Sequence, residues 1–156
     1  KIMRYKFFSF IVFLFLLTNC GFSVVKNNIN YNITEIRTIG DKKINFILKN
    51  KLFLNSNDKN QKIIKLNLNT NKTKTIKEKN ISNQITKYQI NINTDIEFLV
   101  SNNSNSNKFN VSKNGSYEVA TRHSETLNNE KKLIKLLIND LSEEILEKLS
   151  TKINEL

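Results

Sequence analysis

The segment from Thr86 to Val100, TKYQININTDIEFLV, decides the fold. Thr86, Tyr88, Ile90, Ile92, Thr94, Ile96, Phe98 and Val100 fall on one side of an extended chain, and Lys87, Gln89, Asn91, Asn93, Asp95 and Glu97 on the other. Successive side chains of a strand point to opposite faces, so this period of two predicts a strand with one buried and one wet face. A half-buried strand of that length needs a comparable neighbour. The chain just before it supplies one. Ile64, Leu66 and Leu68 alternate with Lys65, Asn67 and Asn69, and the alternation continues through Thr73 and Thr75 against Lys72 and Lys74. Lys62 to Lys77 therefore reads as the partner in a long hairpin that turns near Glu78 to Ser82.

Further elements follow on both sides. After a polar loop from Asn102 to Asn107, Phe109 and Val111, then Tyr117 and Val119 beyond Asn114-Gly115, form a fourth strand. The period then changes. Ile134, Leu137, Ile138, Leu141, Ile145, Leu149, Ile153 and Leu156 make a helical stripe opposite Lys135, Asn139, Glu143, Glu147 and Asn154. This helix, of some 27 residues, starts between Ser124 and Asn129. No second heptad segment exists to partner it in a coiled coil, so packing on the sheet is expected.

Towards the N-terminus, Ile33 to Ile39 is β-branched and ends at Gly40-Asp41, a first strand. Asp41 can cap a helix whose apolar positions Ile44, Ile47, Leu48 and Leu52 recur at helical spacing, fading into the polar loop Asn55 to Asn60. The order strand, helix, three strands, helix describes an α+β fold. It is a two-layer α/β sandwich, a roughly four-stranded mixed sheet with two helices on one face.

Composition narrows the function. The 156 residues suffice for one compact domain, and they hold no proline, three glycines, one cysteine and one histidine. An intramolecular disulfide and a cysteine-based zinc cluster are excluded. His123 is the single candidate base for any triad and lies at the boundary of strand and helix, where a solvated or capping role is expected. Gly40 and Gly115 are isolated turn residues, not a phosphate loop. Glu143 and Glu144 are adjacent on a helix and point apart, while Glu144 and Lys148 form an i, i+4 pair. Sequons at Asn32, Asn71, Asn80 and Asn110 follow from the Asn content. An enzyme is not expected, and no cofactor or metal is implied.

The net charge is +11, but 27 Asn, 22 Lys and 20 Ile stand beside three Arg. Those three abundant residues share A/T-rich codons, so compositional drift produces the same excess of lysine as a selected polyanion partner would. Charge alone decides nothing here.

The N-terminus is more specific. Met3-Arg4-Tyr5-Lys6 precedes the apolar run Phe7 to Leu17, and Leu17-Thr18-Asn19-Cys20 follows. Eleven residues at ~1.5 Å each cross about half of a ~30 Å hydrocarbon core, too little for a transmembrane helix and the layout of a signal peptide. The segment resembles the lipobox of bacterial lipoproteins, with Leu17 three residues before the cysteine and Asn19 departing from the usual small residue. The resemblance implies that Cys20 carries a diacylglycerol on sulfur and an acyl chain (palmitate-type) on its amine; two or more chains are what stable anchoring needs. Gly21 after it, in place of Asp, implies the outer membrane as destination. The organisation is then a signal peptide over 1–19, a lipidated tether over 20–32 and one domain over 33–156.

From Cys20-Gly21-Phe22 onward, through the strand Ile33 to Ile39, the helix from Asp41, two long alternating strands and Asn114 to Ala120 leading into the last helix, the chain resembles the LPS-assembly lipoproteins (LptE type). Where that family has a proline near the mature start, this chain has Val24, and the small residues of the family's last helix are Ile, Leu and Lys here. The resemblance implies a lipid-anchored protein on the periplasmic side of the cell outer membrane. It would plug and help assemble the LPS-transport β-barrel, assisting lipopolysaccharide insertion, with barrel and lipopolysaccharide as partners and no nucleic acid. The basic band Lys72, Lys74, Lys77 and Lys79 reads either as a contact to lipopolysaccharide phosphates or as a solvated strand edge blunted by lysine. The alternative function is a lipid-anchored periplasmic-facing binding protein for a small anionic or lipidic ligand.

Overall fold

The computed structural model describes residues 31–55, 62–101 and 106–155. The signal peptide, Cys20 and most of both polar loops lie outside the described residues. The elements are β1 (Tyr31–Gly40), α1 (Lys42–Leu54), β2 (Lys62–Lys79), β3 (Ile85–Val100), β4 (Asn107–Glu118) and α2 (His123–Asn154). The four strands run in the order β1-β2-β3-β4. β1 is parallel to β2 through the α1 crossover, and the remaining pairs are antiparallel. The fold is the α+β sandwich that the alternation implied.

One row of side chains from each strand faces the helices. Ile64, Leu66 and Leu68 of β2 and Ile90, Ile92, Ile96 and Phe98 of β3 are essentially inaccessible. They pack with Ile44, Leu48 and Leu52 of α1 and with Leu137, Ile138, Leu141, Ile145, Leu149 and Ile153 of α2. Fully burying one such side chain is worth about 1.5–3 kcal/mol, so this shared core holds both helices to one face. On β2 the buried row ends at Thr70, whose hydroxyl meets that of its cross-strand partner Thr94 at 3.0 Å, while on β3 it continues to Ile90.

Three local features shape this core. First, β1 begins at Tyr31, two residues before the strand and domain start read at Ile33, so Tyr31 and Asn32 are not tether. The Tyr31 ring is buried and its hydroxyl donates to the Leu146 carbonyl at 3.3 Å, with burial raising its pKa well above the ordinary tyrosine value. Second, a bulge between Ile33 and Glu35 lets Ile33 and Ile36, three apart, both point inward. The Thr34 hydroxyl at that bulge donates to the Ile64 carbonyl at 3.3 Å. Third, Gly40 turns the chain into α1 at φ +97°, with Thr70 so near that a Cβ would lie 2.0 Å from its carbonyl oxygen. Only glycine fits there.

Asp41 caps α1 as expected, its carboxylate accepting from the Lys43 and Ile44 amides at 3.1 and 3.0 Å. α2 starts at His123, one residue ahead of the expected window, and is 32 residues long. Its preceding Arg122 provides no side-chain cap. The Thr126 hydroxyl instead accepts the Ala120 amide at 2.9 Å, fixing the entry of the chain into the helix.

Candidate functional site

β2 and β3 pair as far as Lys79 and Ile85, eleven residues of β2 beyond Leu68, and inward positions of β2 past that point include Thr70 and Ile76. In this distal half the sheet presents two unlike surfaces. The expected basic band lies here, and the structure divides it.

The row carrying Ile64, Leu66, Leu68 and Thr70 continues without a register break through Lys72, Lys74 and Ile76; the first shift comes between Ile76 and Glu78. Lys72 and Lys74 therefore point towards the helix layer, and Thr73 and Thr75 face outward. This corrects the expected alternation, in which the two threonines continued the buried row. An uninterrupted period of two keeps every even position on one face, whatever its polarity.

Lys74 is the centre of a built cluster. Its Nζ lies 2.6 Å from Glu130 Oε2 of α2. The same ammonium sits 4.4 Å from the ring centre of Tyr88 and 5.3 Å from that of Tyr117, two rings stacked at 5.7 Å. The Tyr117 hydroxyl donates to the same Glu130 oxygen at 2.7 Å. Partial desolvation works against both charges, but the mutual hydrogen bonds outweigh it: the Lys74 pKa is raised and the Glu130 carboxyl is held below its ordinary range. Burial raises the Tyr117 hydroxyl; the Lys74 hydrogen bond opposes the shift and the Glu130 hydrogen bond adds to it. Lys72 lies 3.7 Å from the Asp41 carboxylate. Two of the four lysines are thus tied into the domain.

Lys77 and Lys79 are different. Lys77 donates to the Ser116 hydroxyl at 3.2 Å and Lys79 to the Asn83 side-chain oxygen at 2.9 Å, and neither pairs with a carboxylate among the described residues. Glu78, the acid between them, is engaged by Lys87 at 3.0 Å. The tip is well ordered by Asn80, whose side-chain oxygen accepts the Ser82 and Gln84 amides at 3.0 and 2.9 Å. Asn83 takes the left-handed conformation there, φ 62°.

Among the described residues nothing covers the opposite face of the sheet. Across β2, β3 and β4 its rows read Asn71–Asn93–Ser112, Thr73–Asn91–Asn114 and Thr75–Gln89–Ser116, all amides and hydroxyls. The Ser112 hydroxyl donates to Asn91 at 2.9 Å. Towards β1 the same face becomes charged, with Arg37, Asp95, Glu97, Lys108 and the exposed Ile39 around an open concavity of about 690 Å³. Composition had shown the asparagines; their gathering on one face follows from the alternation.

A second open groove, about 770 Å³, runs between β4 and the C-terminal half of α2. The expected Glu144–Lys148 pair is there at 2.8 Å, and Lys113 of β4 joins it at 2.6 Å. The hydrogen bonds from Lys113 and Lys148 lower the Glu144 pKa. Lys148 also donates to the Asn110 carbonyl of the edge strand at 3.3 Å. His123 is exposed at the start of α2. Among the described residues no group of three His, Cys, Asp or Glu is placed to hold a metal ion, and no helix is long and apolar enough to cross a membrane.

No family model and no curated protein matches the chain. Solved structures do. Rare lipoprotein B from Shewanella oneidensis is 13% identical with a TM-score of 0.55, over 77% of this chain and 97% of that one. A lipoprotein from Caulobacter crescentus is 14% identical with a TM-score of 0.57, over 77% and 90%. Lipoprotein B from Nitrosomonas europaea is 13% identical with a TM-score of 0.52, over 81% and 88%. At these identities the shared feature is the fold.

Proposed function

We propose that the chain is an outer-membrane lipoprotein, anchored through Cys20 on the periplasmic side, that plugs and helps assemble the LPS-transport β-barrel. The observation that carries this reading is the distal half of the open sheet face, made of amides and hydroxyls. A surface that meets a water-lined lumen needs many weak polar contacts and no apolar patch, and the rows from Asn71 to Ser116 have that character. The fold shared with three bacterial lipoproteins supports the anchored class, as does the apolar run ending at the single cysteine. Within the basic band, Lys77 and Lys79 are the cations left for phosphates of lipopolysaccharide.

Two experiments test it. Affinity purification of the tagged protein from detergent-solubilised membranes should bring down a barrel of several times its mass in constant ratio; a chain that purifies alone and still binds lipopolysaccharide returns the function to the lipid-anchored binding protein. Cys20→Ala should leave an unprocessed precursor in the inner membrane, and mass spectrometry finding a soluble, unmodified chain cut elsewhere would refute the anchor.

A further inference from the structure

The lysines of this domain are not used alike. Across the sheet and its facing helix, Lys65, Lys72, Lys74, Lys87, Lys108, Lys113 and Lys148 all have carboxylate partners. α1 carries Lys42, Lys43, Lys49 and Lys51 and no acidic residue. None of these four pairs with a carboxylate among the described residues. Its cap, Asp41, is already engaged by two backbone amides and Lys72. Lysines without a carboxylate partner among the described residues also occur on β2 and α2, such as Lys77, Lys79, Lys131 and Lys132, but α1 alone among the described elements carries no acidic residue at all.

The same helix shows an apolar surface to solvent. Ile44, Leu48 and Leu52 face the core. On the other side Phe46, Lys49, Asn50 and Leu54 follow at i, i+3, i+4 and i+8, with Phe53 at i+7 half-buried against the core and Lys42 and Lys43 a turn before the stripe. Phe46 is 69% exposed and Leu54 84% exposed. Lys49 lies 5.8 Å from the ring centre of the half-buried Phe53. Aromatic and aliphatic side chains set among lysines make the face of a helix that lies in a bilayer interface, the rings entering the acyl boundary and the ammonium groups meeting phosphates.

The topology brings this stripe to the anchored end. α1 returns the chain from Gly40 towards Lys62, which pairs with Tyr31, so Leu54 ends the helix on the side where the N-terminal segment leaves the domain. Cys20 stands eleven residues before Tyr31. That length spans at most roughly 35–40 Å when fully extended, which keeps the domain within reach of a bilayer that holds the N-terminus.

We infer that the outer face of α1 docks on the anionic surface of the membrane in which the N-terminus is held, a second contact that orients the domain. A bilayer containing anionic phospholipid is the occupant because the charge is uniformly positive, unpaired and interleaved with exposed apolar side chains. The inference needs only a membrane-held N-terminus and stands apart from the barrel reading.

The test uses the full chain reconstituted into vesicles. A polarity-sensitive fluorophore is placed on Asn50→Cys, within the stripe, or on Asn71→Cys, on the bare sheet face, and quenched by nitroxide-labelled lipid. Quenching at position 50 should be strong with phosphatidylglycerol in the vesicle, weak in pure phosphatidylcholine, reduced by salt, and absent at position 71. Each lysine near an anionic surface contributes about fivefold to partition, so Lys42, Lys43 and Lys49 changed together to Gln should lower the docked-to-undocked ratio roughly 100-fold. Phe46→Ser alone should lower it while leaving the unfolding midpoint unchanged. Equal quenching at both positions, or quenching at 50 indifferent to lipid charge and to the lysines, overturns the inference. So does a fluorophore at 50 already shielded in lipid-free detergent, which would mean that a second copy or a protein partner covers α1. Loss of barrel co-purification with quenching intact would sink the proposed function and leave this one standing.

Discussion

Replacing Gly40 by alanine puts the heaviest load on a single atom in this fold. The new Cβ would sit 2.0 Å from the Thr70 carbonyl oxygen and 2.9 Å from its carbon, both backbone atoms inside the sheet. The residue would also have to hold φ +97°, for which a non-glycine residue carries about 1–3 kcal/mol of strain. Relieving the collision moves β1 away from β2 where Gly40 pairs with Thr70. That shift breaks the Asp41 amide bond to the Thr70 carbonyl, 2.9 Å long and worth about 1 kcal/mol net. It also loosens the Asp41 cap on α1, worth about 1 kcal/mol more. The sum is about 3–5 kcal/mol, a large part of the ~5–15 kcal/mol that holds a domain together. Urea unfolding of the protein in detergent, followed by circular dichroism, should show a lower midpoint at unchanged slope. Gly40→Asn separates the two causes. Asn tolerates a positive φ but still carries a Cβ, so it should fare no better than alanine. If Asn restores most of the stability, or if Gly40→Ala costs less than about 1 kcal/mol, the contact with Thr70 is not what demands glycine.

Thr94→Val should cost about 1–3 kcal/mol by leaving the buried Thr70 hydroxyl without its partner, whereas the Thr70→Val/Thr94→Val double variant should lie near wild type in the same unfolding assay. Glu130→Gln should flatten the acid limb of stability. The folded-state pKa of Glu130 lies below its unfolded value, so its contribution is present above about pH 4.3 and is lost as pH falls through the folded pKa. Lys74, raised, keeps its share until pH climbs past the ordinary lysine range of ~10.4. With Lys74 more than a third exposed, the wild-type advantage near neutrality should stay at or below about 1 kcal/mol. An acid limb identical in both proteins would remove the ion pair from the account of this cluster. Ile92→Asp should place an unpartnered carboxylate between sheet and helices and cost several kcal/mol, read as loss of cooperative melting.

The elements that were legible are those whose two faces meet different solvents. β3 alternates without a slip because one face meets the helices and the other meets water. α2 shows a clean stripe because its apolar side runs along β4 and packs against α1 and the core beneath. β1 was harder, since the bulge at Thr34 turns a strand into an inward pair three residues apart, and no period of two survives that. Tyr31 looked like tether because a single buried tyrosine beside asparagines carries no periodic signal. The acceptor of its hydroxyl, Leu146, is 115 residues away. Lys72 and Lys74 were misassigned for a related reason. Their parity matched Ile64, but lysine in a buried row is stable only with a partner, and Glu130 lies 56 residues further along the chain.

α1 shows where periodicity stops being able to decide. Its apolar residues fill two sides of the helix, Ile44, Leu48 and Leu52 on one and the exposed Phe46 and Leu54 on the other, so spacing alone offers two candidate core faces. Packing against β1 and α2 confirms the first stripe as core, and by doing so makes the second a surface that needs an explanation. In a chain rich in lysine through its codons, no single α1 lysine signals a partner. What carries information is that four lysines and no acidic residue stand together on α1, the helix that also exposes a phenylalanine and a leucine, while every other described element carries at least one acid. Drift explains the abundance of lysine; it does not explain that distribution.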